Sequence, residues 1–154
     1  MKIRNAGRED LPLITHVMVT SFRTAFADFV SRETMERNTQ EENCLALLES
    51  VYRDPSMHFL TDGRFGMLVW QDQNDTAEII ALHTLPESHG TGLGRALLAA
   101  GLEQIGNRPV FLWDFAGNAR ARRFYEKNGF SVDGTQRVSE FDGAVEIRYT
   151  NAPV

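Results

Sequence analysis

A glycine-rich loop between a strand and a helix is the part of this sequence best suited to chemistry. Apolar residues run up to Pro86, the glycines Gly90, Gly92 and Gly94 follow, and Arg95 opens a strongly helical run. This order leaves several backbone N–H groups unpaired at the positive end of a helix dipole, which favours a bound anion, phosphate above all. Glycine also accepts positive φ and lets the backbone approach such a ligand closely.

Three kinds of phosphate site can be compared with this loop. A nucleoside-triphosphate P-loop needs Lys followed by Ser or Thr after its second glycine, and Arg-Ala stands there instead. A dinucleotide site needs G-x-G-x-x-G, and the sixth residue counted from Gly90 or Gly92 is not glycine. Asp114 keeps that second interpretation open, because it ends the next apolar strand at roughly the 20-residue interval where dinucleotide folds place a ribose-binding acid. The third kind is a coenzyme A site.

Two motifs in the right order indicate coenzyme A. Residues 89–94, His-Gly-Thr-Gly-Leu-Gly, are similar to the Q/R-x-x-G-x-G/A motif of the GNAT N-acetyltransferase superfamily, with His89 where the family usually has Gln or Arg. Residues 118–130 resemble the family's second motif, N-x-x-A-x-x-F-Y-x-x-x-G-F, and every anchor residue is present. The resemblance covers most of the chain and is firmest over residues 78–130.

Size and composition predict one domain spanning residues 1–154. The contents of hydrophobic residues (42%) and charged residues (24%) are those of ordinary globular proteins, and 154 residues can bury a sizeable core. A net charge of −5 argues against nucleic acid as the main partner. No apolar run approaches a membrane span and no signal-peptide pattern opens the chain, so we expect a cytoplasmic protein without membrane partners. The single Cys44 is expected to be a small buried hydrophobe, and the histidine spacing predicts no metal site.

The elements that must position these motifs form an α/β pattern. Strands are predicted over residues 2–5, 57–61, 65–70, 77–85, 110–113, 130–132, 138–141 and 145–149, with Asp-Gly turns at 62–63 and 142–143 and a polar turn at 71–75. Helices are predicted after residues 7–10, after a capping box at 39–42, over 92–105, and from an N-cap at Asn118 to Gly129. The strands at 77–85 and 110–113, which the helix at 92–105 connects, should pair in parallel. The second of these helices should bury Cys44, Leu45, Leu47, Leu48 and Val51. Phe22, Phe26 and Phe29 either continue the first helix or line a loop.

The resemblance implies the GNAT fold: a mixed, mostly antiparallel twisted sheet of six to seven strands flanked by about four helices, with a splay between the two central strands. It also implies that acetyl-CoA is the cosubstrate and that its pantetheine arm lies along the strand ending at Leu85. A backbone N–H near Thr84 or Leu85 would face the thioester carbonyl. The expected cofactor-binding residues are Thr84, Leu85, His89, Gly90, Thr91, Gly92, Leu93, Gly94, Arg95, Asn118 and Arg122. The arginines at 120, 122 and 123 form either a solvated helix face or an attraction for coenzyme phosphates.

Acetyl transfer to an amine needs a base for the amine and an acid for the departing thiolate. Tyr125 matches the tyrosine of the family motif, and a phenol pKa of roughly 10 lies near the roughly 8.5 of a thiol, although core packing could also explain it. Glu78 falls where histone-type members of the family carry a catalytic Glu, and its apolar neighbours would raise its pKa. His83 is a rival base, and ordered water is a third possibility.

The resemblance implies an N-acetyltransferase that moves the acetyl group by direct attack of a neutral amine in a ternary complex. Two other functions stay open: a non-catalytic acyl-CoA-binding module, and a nicotinamide- or nucleotide-binding enzyme that uses Asp114. The acceptor is expected to be a small-molecule amine or a protein N-terminus or lysine. Acidic residues near the presumed pocket would suit a cationic amine such as a polyamine or an aminoglycoside; they are Glu33, Glu36, Glu41 and Glu42. Family members often form dimers, so a homodimer is possible.

Overall fold

The computed structural model describes residues 2–28, 30–139 and 143–152, which form seven strands and five α-helices. The strands are β1 (Arg4–Asn5), β2 (Met57–Thr61), β3 (Gly66–Gln73), β4 (Thr76–Thr84), β5 (Val110–Phe115), β6 (Ser131–Val138) and β7 (Val145–Thr150). The helices are α1 (Leu11–Ala25), α2 (Arg32–Asn38), α3 (Glu41–Tyr52), α4 (Leu93–Ile105) and α5 (Ala119–Lys127).

All the strands belong to one mixed sheet with the order β1-β2-β3-β4-β5-β7-β6. Every neighbouring pair is antiparallel except β4 and β5, which are parallel because α4 connects them. The predicted fold class, a mostly antiparallel α/β sheet with helices beside it, is therefore confirmed. The helix count exceeds the expected four by the short α2, whose N-cap Ser31 accepts a hydrogen bond from the Thr34 N–H at 3.1 Å.

Two hydrophobic cores lie on opposite faces of the sheet. Alternation along β3 sends Leu68 to one face and Met67 to the other. The first core contains fully buried Leu97 of α4, while the second contains fully buried Ile14 of α1. The helices α4 and α5 thus cover one face, and α1 and α3 cover the other.

The two central strands part after a short paired segment. β4 pairs with β5 only over three residue pairs, the last joining Ile79 to Leu112. Where the pairing stops, Ile80 forms a β-bulge, because Val69 faces Ala81 while the next residue of β3 already faces Ile79. A bulge bends its strand and increases the local twist. Beyond Ile79 the two strands no longer pair, and the space between their unpaired ends is called here the β4–β5 gap, so the predicted splay is present.

Local sequence signals placed several element ends correctly. The Asn118 side chain accepts a hydrogen bond from the Ala121 N–H at 3.2 Å and caps α5, and Gly129 just beyond that helix has φ +91°. The Asp62 carboxylate closes the β2–β3 hairpin by accepting from three successive backbone N–H groups, the last that of Gly66 at 2.9 Å.

Other predictions were wrong. The capping box at 39–42 does not form, because Gln40 is the N-cap of α3 and the Thr39 hydroxyl instead donates to the Met35 carbonyl at 2.6 Å. Leu47 was expected on the buried face of α3 but is 60% exposed. β1 is shorter than expected, while β3 extends through most of the predicted polar turn at 71–75.

The end of the sheet also differs from the prediction. Residues 131–138 form one long strand, interrupted by a register shift between Val132 and Gln136, instead of two short strands. α1 ends at Ala25, with Phe22 inside the helix and Phe26 as its C-cap. The predictions for Phe29, and for the strand and turn at 140–142, lie outside the described residues.

Candidate active site

The glycine loop presents unpaired donors at the start of α4. Gly90 and Gly92 both adopt φ values near +85°, and an added Cβ at either would meet no atom within 4 Å. The N-cap Gly92 has no side chain to cap the helix, and the first intrahelical bond is donated by the Ala96 N–H. The N–H groups of Leu93 and its two successors therefore point outward at the positive end of the helix dipole, which is the arrangement that binds phosphate.

Two backbone N–H groups of the loop, one of them among the expected donors at residues 90–95, already make hydrogen bonds inside it. The His89 N–H donates to the Pro86 carbonyl at 3.1 Å, and the Thr91 N–H donates to the Ser88 carbonyl at 3.2 Å. The Thr91 hydroxyl donates to the same Ser88 carbonyl at 2.5 Å. The expectation that residues 90–95 all offer their N–H groups to the ligand is thus corrected for Thr91.

His89 and Arg120 bring positive character to the same place. The His89 ring hydrogen-bonds to the Thr84 carbonyl, but burial and the nearby Arg120 guanidinium lower its pKa. A phosphate bound near both groups would reverse the effect of Arg120 by neutralising it. His89 can therefore gain a proton when an anion binds, which the Gln or Arg usual at this position of the family cannot do.

The β4–β5 gap is lined by unpaired backbone groups. The Leu85 N–H donates to the Phe65 carbonyl at 2.8 Å, and alternation along an antiparallel pair then turns the N–H groups of Thr84 and Leu82 toward the gap. On the other side, the Ala116 N–H donates to the Val145 carbonyl at 2.9 Å, so Trp113 turns its backbone groups toward the gap by the same rule. An extended ligand can pair with such edges as an added strand.

Of the two backbone N–H groups expected to face the thioester carbonyl, those of Thr84 and Leu85, only that of Thr84 is available. Leu85 cannot supply an N–H to a thioester carbonyl, because Phe65 holds it. The Thr84 carbonyl is also engaged, since the Ser21 hydroxyl donates to it at 3.1 Å. The Thr84 N–H is the donor of this pair that is left to face the gap.

Tyr125 lies under the α4–α5 side of the gap. It is 8% exposed and packs against Phe130 and Tyr149, at ring-centroid distances of 5.9 and 6.2 Å. Within the described residues its hydroxyl has no hydrogen-bond partner. Burial first, and then the charge of Asp114, raise the Tyr125 pKa above that of a free phenol. The expected closeness to a thiol pKa is therefore lost in the unliganded protein, although the phenol stays protonated and able to donate.

Asp114 is the second polar group on this side of the gap. It alternates along β5 with buried Val110 and Leu112 and so faces α5, with 8% of its surface exposed. Burial raises its pKa from 3.8 to about 7, while the Phe115 N–H and the Arg122 charge act in the opposite direction. Its Oδ2 atom has no hydrogen-bond partner within the described part of the chain.

Glu78 and His83 lie on the opposite face. Glu78 pairs with Phe111 one step before the gap opens, and its carboxylate accepts a hydrogen bond from the Gln73 side chain at 3.0 Å. Burial raises the Glu78 pKa, which suits a base. Burial lowers the pKa of His83 to about 4, so this ring stays neutral near pH 7.

An aromatic group missed by the sequence analysis covers that opposite face. Phe26, at the end of α1, contacts Phe115 of β5 at a centroid distance of 4.8 Å and His83 of β4 at 6.3 Å. These contacts span the two parted strands. No local pattern could reveal them, because they join residues far apart in the chain.

The remaining expected site residues have structural contacts. Arg122 donates to the Tyr149 hydroxyl at 3.0 Å and to the Ala116 carbonyl at 3.2 Å, so its half-buried guanidinium is already engaged by other groups of the protein. Cys44 is buried, its thiol donates to the Asn38 carbonyl at 3.3 Å, and burial raises its pKa, as expected of a structural residue. The four acidic residues at 33, 36, 41 and 42 are exposed on α2 and α3, and two of them pair with Arg32 and His16.

A groove of about 720 Å³ lies elsewhere, beside the outer end of β2. Its polar groups already bond to one another: Arg108 pairs with Asp72 at 2.8 Å, and the Trp70 ring N–H donates to Gln104 at 2.9 Å. This satisfied surface offers no chemistry comparable to the gap. Among the described residues, no group of His, Cys, Asp and Glu converges on a possible metal position, and no helix is long and apolar enough to cross a membrane.

An uncapped helix N-terminus beside two parted parallel strands is an arrangement suited to an extended, phosphate-bearing ligand. Comparison with known proteins gives the family. Residues 20–130 match the model of the acetyltransferase (GNAT) family, and the chain belongs to this family. The dinucleotide interpretation of Asp114 loses its support, because this residue faces α5 in a GNAT protein.

Relatives and solved structures agree with this assignment. An uncharacterized N-acetyltransferase of Archaeoglobus fulgidus is 34% identical over 136 residues, which cover 81% of this chain and 89% of the relative. An uncharacterized N-acetyltransferase of Mycobacterium tuberculosis is 39% identical over 92 residues, covering 54% of this chain and only 58% of the mycobacterial protein. The crystal structure of a PaiA N-acetyltransferase from Thermoplasma acidophilum in complex with coenzyme A matches with a TM-score of 0.76 at 23% identity, covering 96% of both chains.

Proposed function

We propose that this protein is an N-acetyltransferase that moves the acetyl group of acetyl-CoA to a primary amine by direct attack in a ternary complex. The observation that carries the proposal is the β4–β5 gap, in which the end of β4 leads into the glycine loop and the uncapped N-terminus of α4. An anion site and an extended slot lined by backbone groups together fit a ligand with phosphates at one end and an amide-bearing arm at the other.

The residues present fit such a ligand. The free N–H groups of Gly92, Leu93, Gly94 and Arg95 would hold its pyrophosphate, with His89 and Arg120 adding positive charge. The N–H groups of Leu82 and Thr84 would pair with its arm. Asn118 caps α5 beside this region, and a contact with the coenzyme through the rest of its side chain is compatible with that role.

When bound, acetyl-CoA supplies an activated acetyl group on a thiol leaving group. Glu78, with its raised pKa, takes the proton from the incoming ammonium directly or through water. The Thr84 N–H stabilises the charge that develops on the carbonyl oxygen. Tyr125 remains protonated and donates to the departing sulfur. The attack comes from the face covered by Phe26 and His83, opposite the phosphate side.

The acceptor is proposed to be a small-molecule amine or a protein N-terminus or lysine. Burial against Phe26, His83 and Phe115 would remove water from the incoming amine and lower its pKa, which favours the neutral, nucleophilic form.

Calorimetric titration with acetyl-CoA, coenzyme A and NAD tests the binding half of the proposal. We expect both coenzyme A forms to bind and NAD not to bind; binding of NAD alone would refute the proposal. An amine panel assayed for released thiol then tests transfer. Tight binding of acetyl-CoA with no turnover of any amine would instead identify a non-catalytic acyl-CoA-binding protein.

A further inference from the structure

Two aspartate side chains of this protein are buried to the same degree but differ in their hydrogen bonds. Asp10 and Asp114 are each 8% exposed. Asp10 accepts two hydrogen bonds from Arg4, at 2.7 and 2.9 Å, and one from the Gly7 N–H at 2.8 Å. The Oδ2 atom of Asp114 accepts none from the described residues. A buried polar atom left without a partner is rare and needs an explanation, because it costs free energy.

The charged neighbours of Asp114 do not supply that partner. Arg122 of α5 is near, but its guanidinium is directed to the Tyr149 hydroxyl and the Ala116 carbonyl. Glu146 of β7 carries the same sign of charge and makes ionisation of Asp114 harder. Tyr125 of α5 interacts electrostatically with Asp114, and its hydroxyl also has no partner among the described residues. An acid with a buried, unpartnered oxygen and a phenol that no described residue binds therefore lie on the same side of the gap.

The phenol alone is a poor source of the proton that the reaction requires. A thiol has a pKa of roughly 8.5, and the Tyr125 pKa lies above that of a free phenol, so proton transfer from Tyr125 to a thiolate is uphill. The carboxylic acid of Asp114, at about 7, lies below the thiol and can protonate it favourably.

We propose that Asp114 is a positioning acid that supplies, through Tyr125, the proton taken up by the departing thiolate. The inference rests on the proposed function. As the carbon–sulfur bond breaks, the Tyr125 O–H proton passes to sulfur, and the Asp114 O–H proton passes to the phenolate oxygen, directly or through one water. Asp114 is left ionised, and solvent returns its proton before the next turnover. The protonated form of Asp114 is the active one, so this step weakens as pH rises through its pKa.

The first test measures Asp114 without turnover. Aspartate is labelled with carbon-13 at its carboxyl group, and the Asp114 resonance is the one absent from the spectrum of Asp114→Asn. We expect a titration midpoint near pH 7 in the free protein, moving upward when coenzyme A excludes water from beside the carboxyl group. A midpoint at the ordinary aspartate value, or one that bound coenzyme A leaves unchanged, would overturn the proposal.

The second test follows kcat from pH 5.5 to 9. Wild-type kcat should fall above the midpoint measured for the complex. Asp114→Asn should lose roughly a hundredfold in kcat and lack that descending limb, while coenzyme A still binds. The Asp114→Asn/Tyr125→Phe double variant should be no slower than Tyr125→Phe alone, because both residues serve one proton transfer.

Asp10→Asn is the matched control, since it changes an equally buried but remote carboxylate and should keep the wild-type limb. A limb that persists in Asp114→Asn, or losses that multiply in the double variant, would overturn the inference while leaving the transferase activity intact. If no amine supports turnover even in the wild-type protein, the proposed function fails, and the proton transfer assigned to Asp114 fails with it.

Discussion

The Asp114→Asn substitution should also change how stability depends on pH. The pKa of Asp114 is about 7 in the folded protein and 3.8 in a free side chain, a difference of about 3 units. One unit corresponds to roughly 1.4 kcal/mol, so ionising Asp114 costs the folded state about 4 kcal/mol relative to the unfolded chain.

The sign follows from which state holds the proton. Below about pH 4 both states are protonated, and Asp114 costs nothing. Between pH 4 and 7 the unfolded chain releases its proton while the folded protein retains it, so the free energy of unfolding falls as pH rises. Above about pH 8 both states are ionised, and the full cost of about 4 kcal/mol remains. The amide of Asp114→Asn has no such dependence.

Urea unfolding of the wild-type protein and of Asp114→Asn, followed by circular dichroism at pH values from 4 to 8, measures this effect. Taking the difference between the two proteins cancels the titrating groups that do not interact with Asp114. We expect the wild type to lose about 4 kcal/mol relative to the variant across this range. A difference that stays constant with pH would refute the reasoning. Asp10→Asn provides a contrast of opposite sign. Arg4 lowers the Asp10 pKa, so ionised Asp10 stabilises the folded state, and the free energy of unfolding of the wild type falls relative to this variant as pH falls.

Three further predictions concern the loop, the base and the arginines. Gly92→Ala places a Cβ at φ +86° and should cost about 1–2 kcal/mol in urea unfolding while weakening coenzyme A binding in calorimetry. Glu78→Gln should lower kcat without changing the Kd for acetyl-CoA. It should also remove the rising limb of the pH profile, which is the increase of kcat with pH as Glu78 loses its proton. His83→Gln should retain that limb, since the His83 pKa of about 4 keeps the ring neutral throughout; loss of the limb would reverse the assignment of the base. Arg122→Ala should lower stability by about 1–3 kcal/mol through its two lost hydrogen bonds, whereas Arg120→Ala should leave thermal unfolding unchanged and weaken coenzyme A binding; the opposite result would exchange their roles.

Sequence reasoning succeeded where the signal is local. The glycine loop, the Asn118 cap and the Asp-Gly hairpin are set by the conformational preferences of a few adjacent residues, and the structure places all three as expected. The position of Tyr125 beneath the gap also follows from helical spacing within one motif.

The errors arose where distant residues decide. The Leu85 N–H is bound by the carbonyl of Phe65, which lies just before the neighbouring strand β3, and the Arg122 guanidinium is bound by Tyr149, near the end of the chain. Asp114 was considered for a ribose because of its place in sequence, but its surroundings on three elements give it a different chemistry. Helix α2 spans only seven residues, Arg32–Asn38, which is too short a pattern to be recognised from the sequence.

The three-pair contact between β4 and β5 divides the molecule in an informative way. Strands β1 to β4 come from the first part of the chain, strands β5 to β7 from the last, and one connector containing the glycine loop and α4 joins them. Glu78 and Thr84 belong to the first part, whereas Tyr125 and Asp114 belong to the second. Neither part carries the complete set of groups proposed to react, so turnover would report directly on the correct assembly of the two.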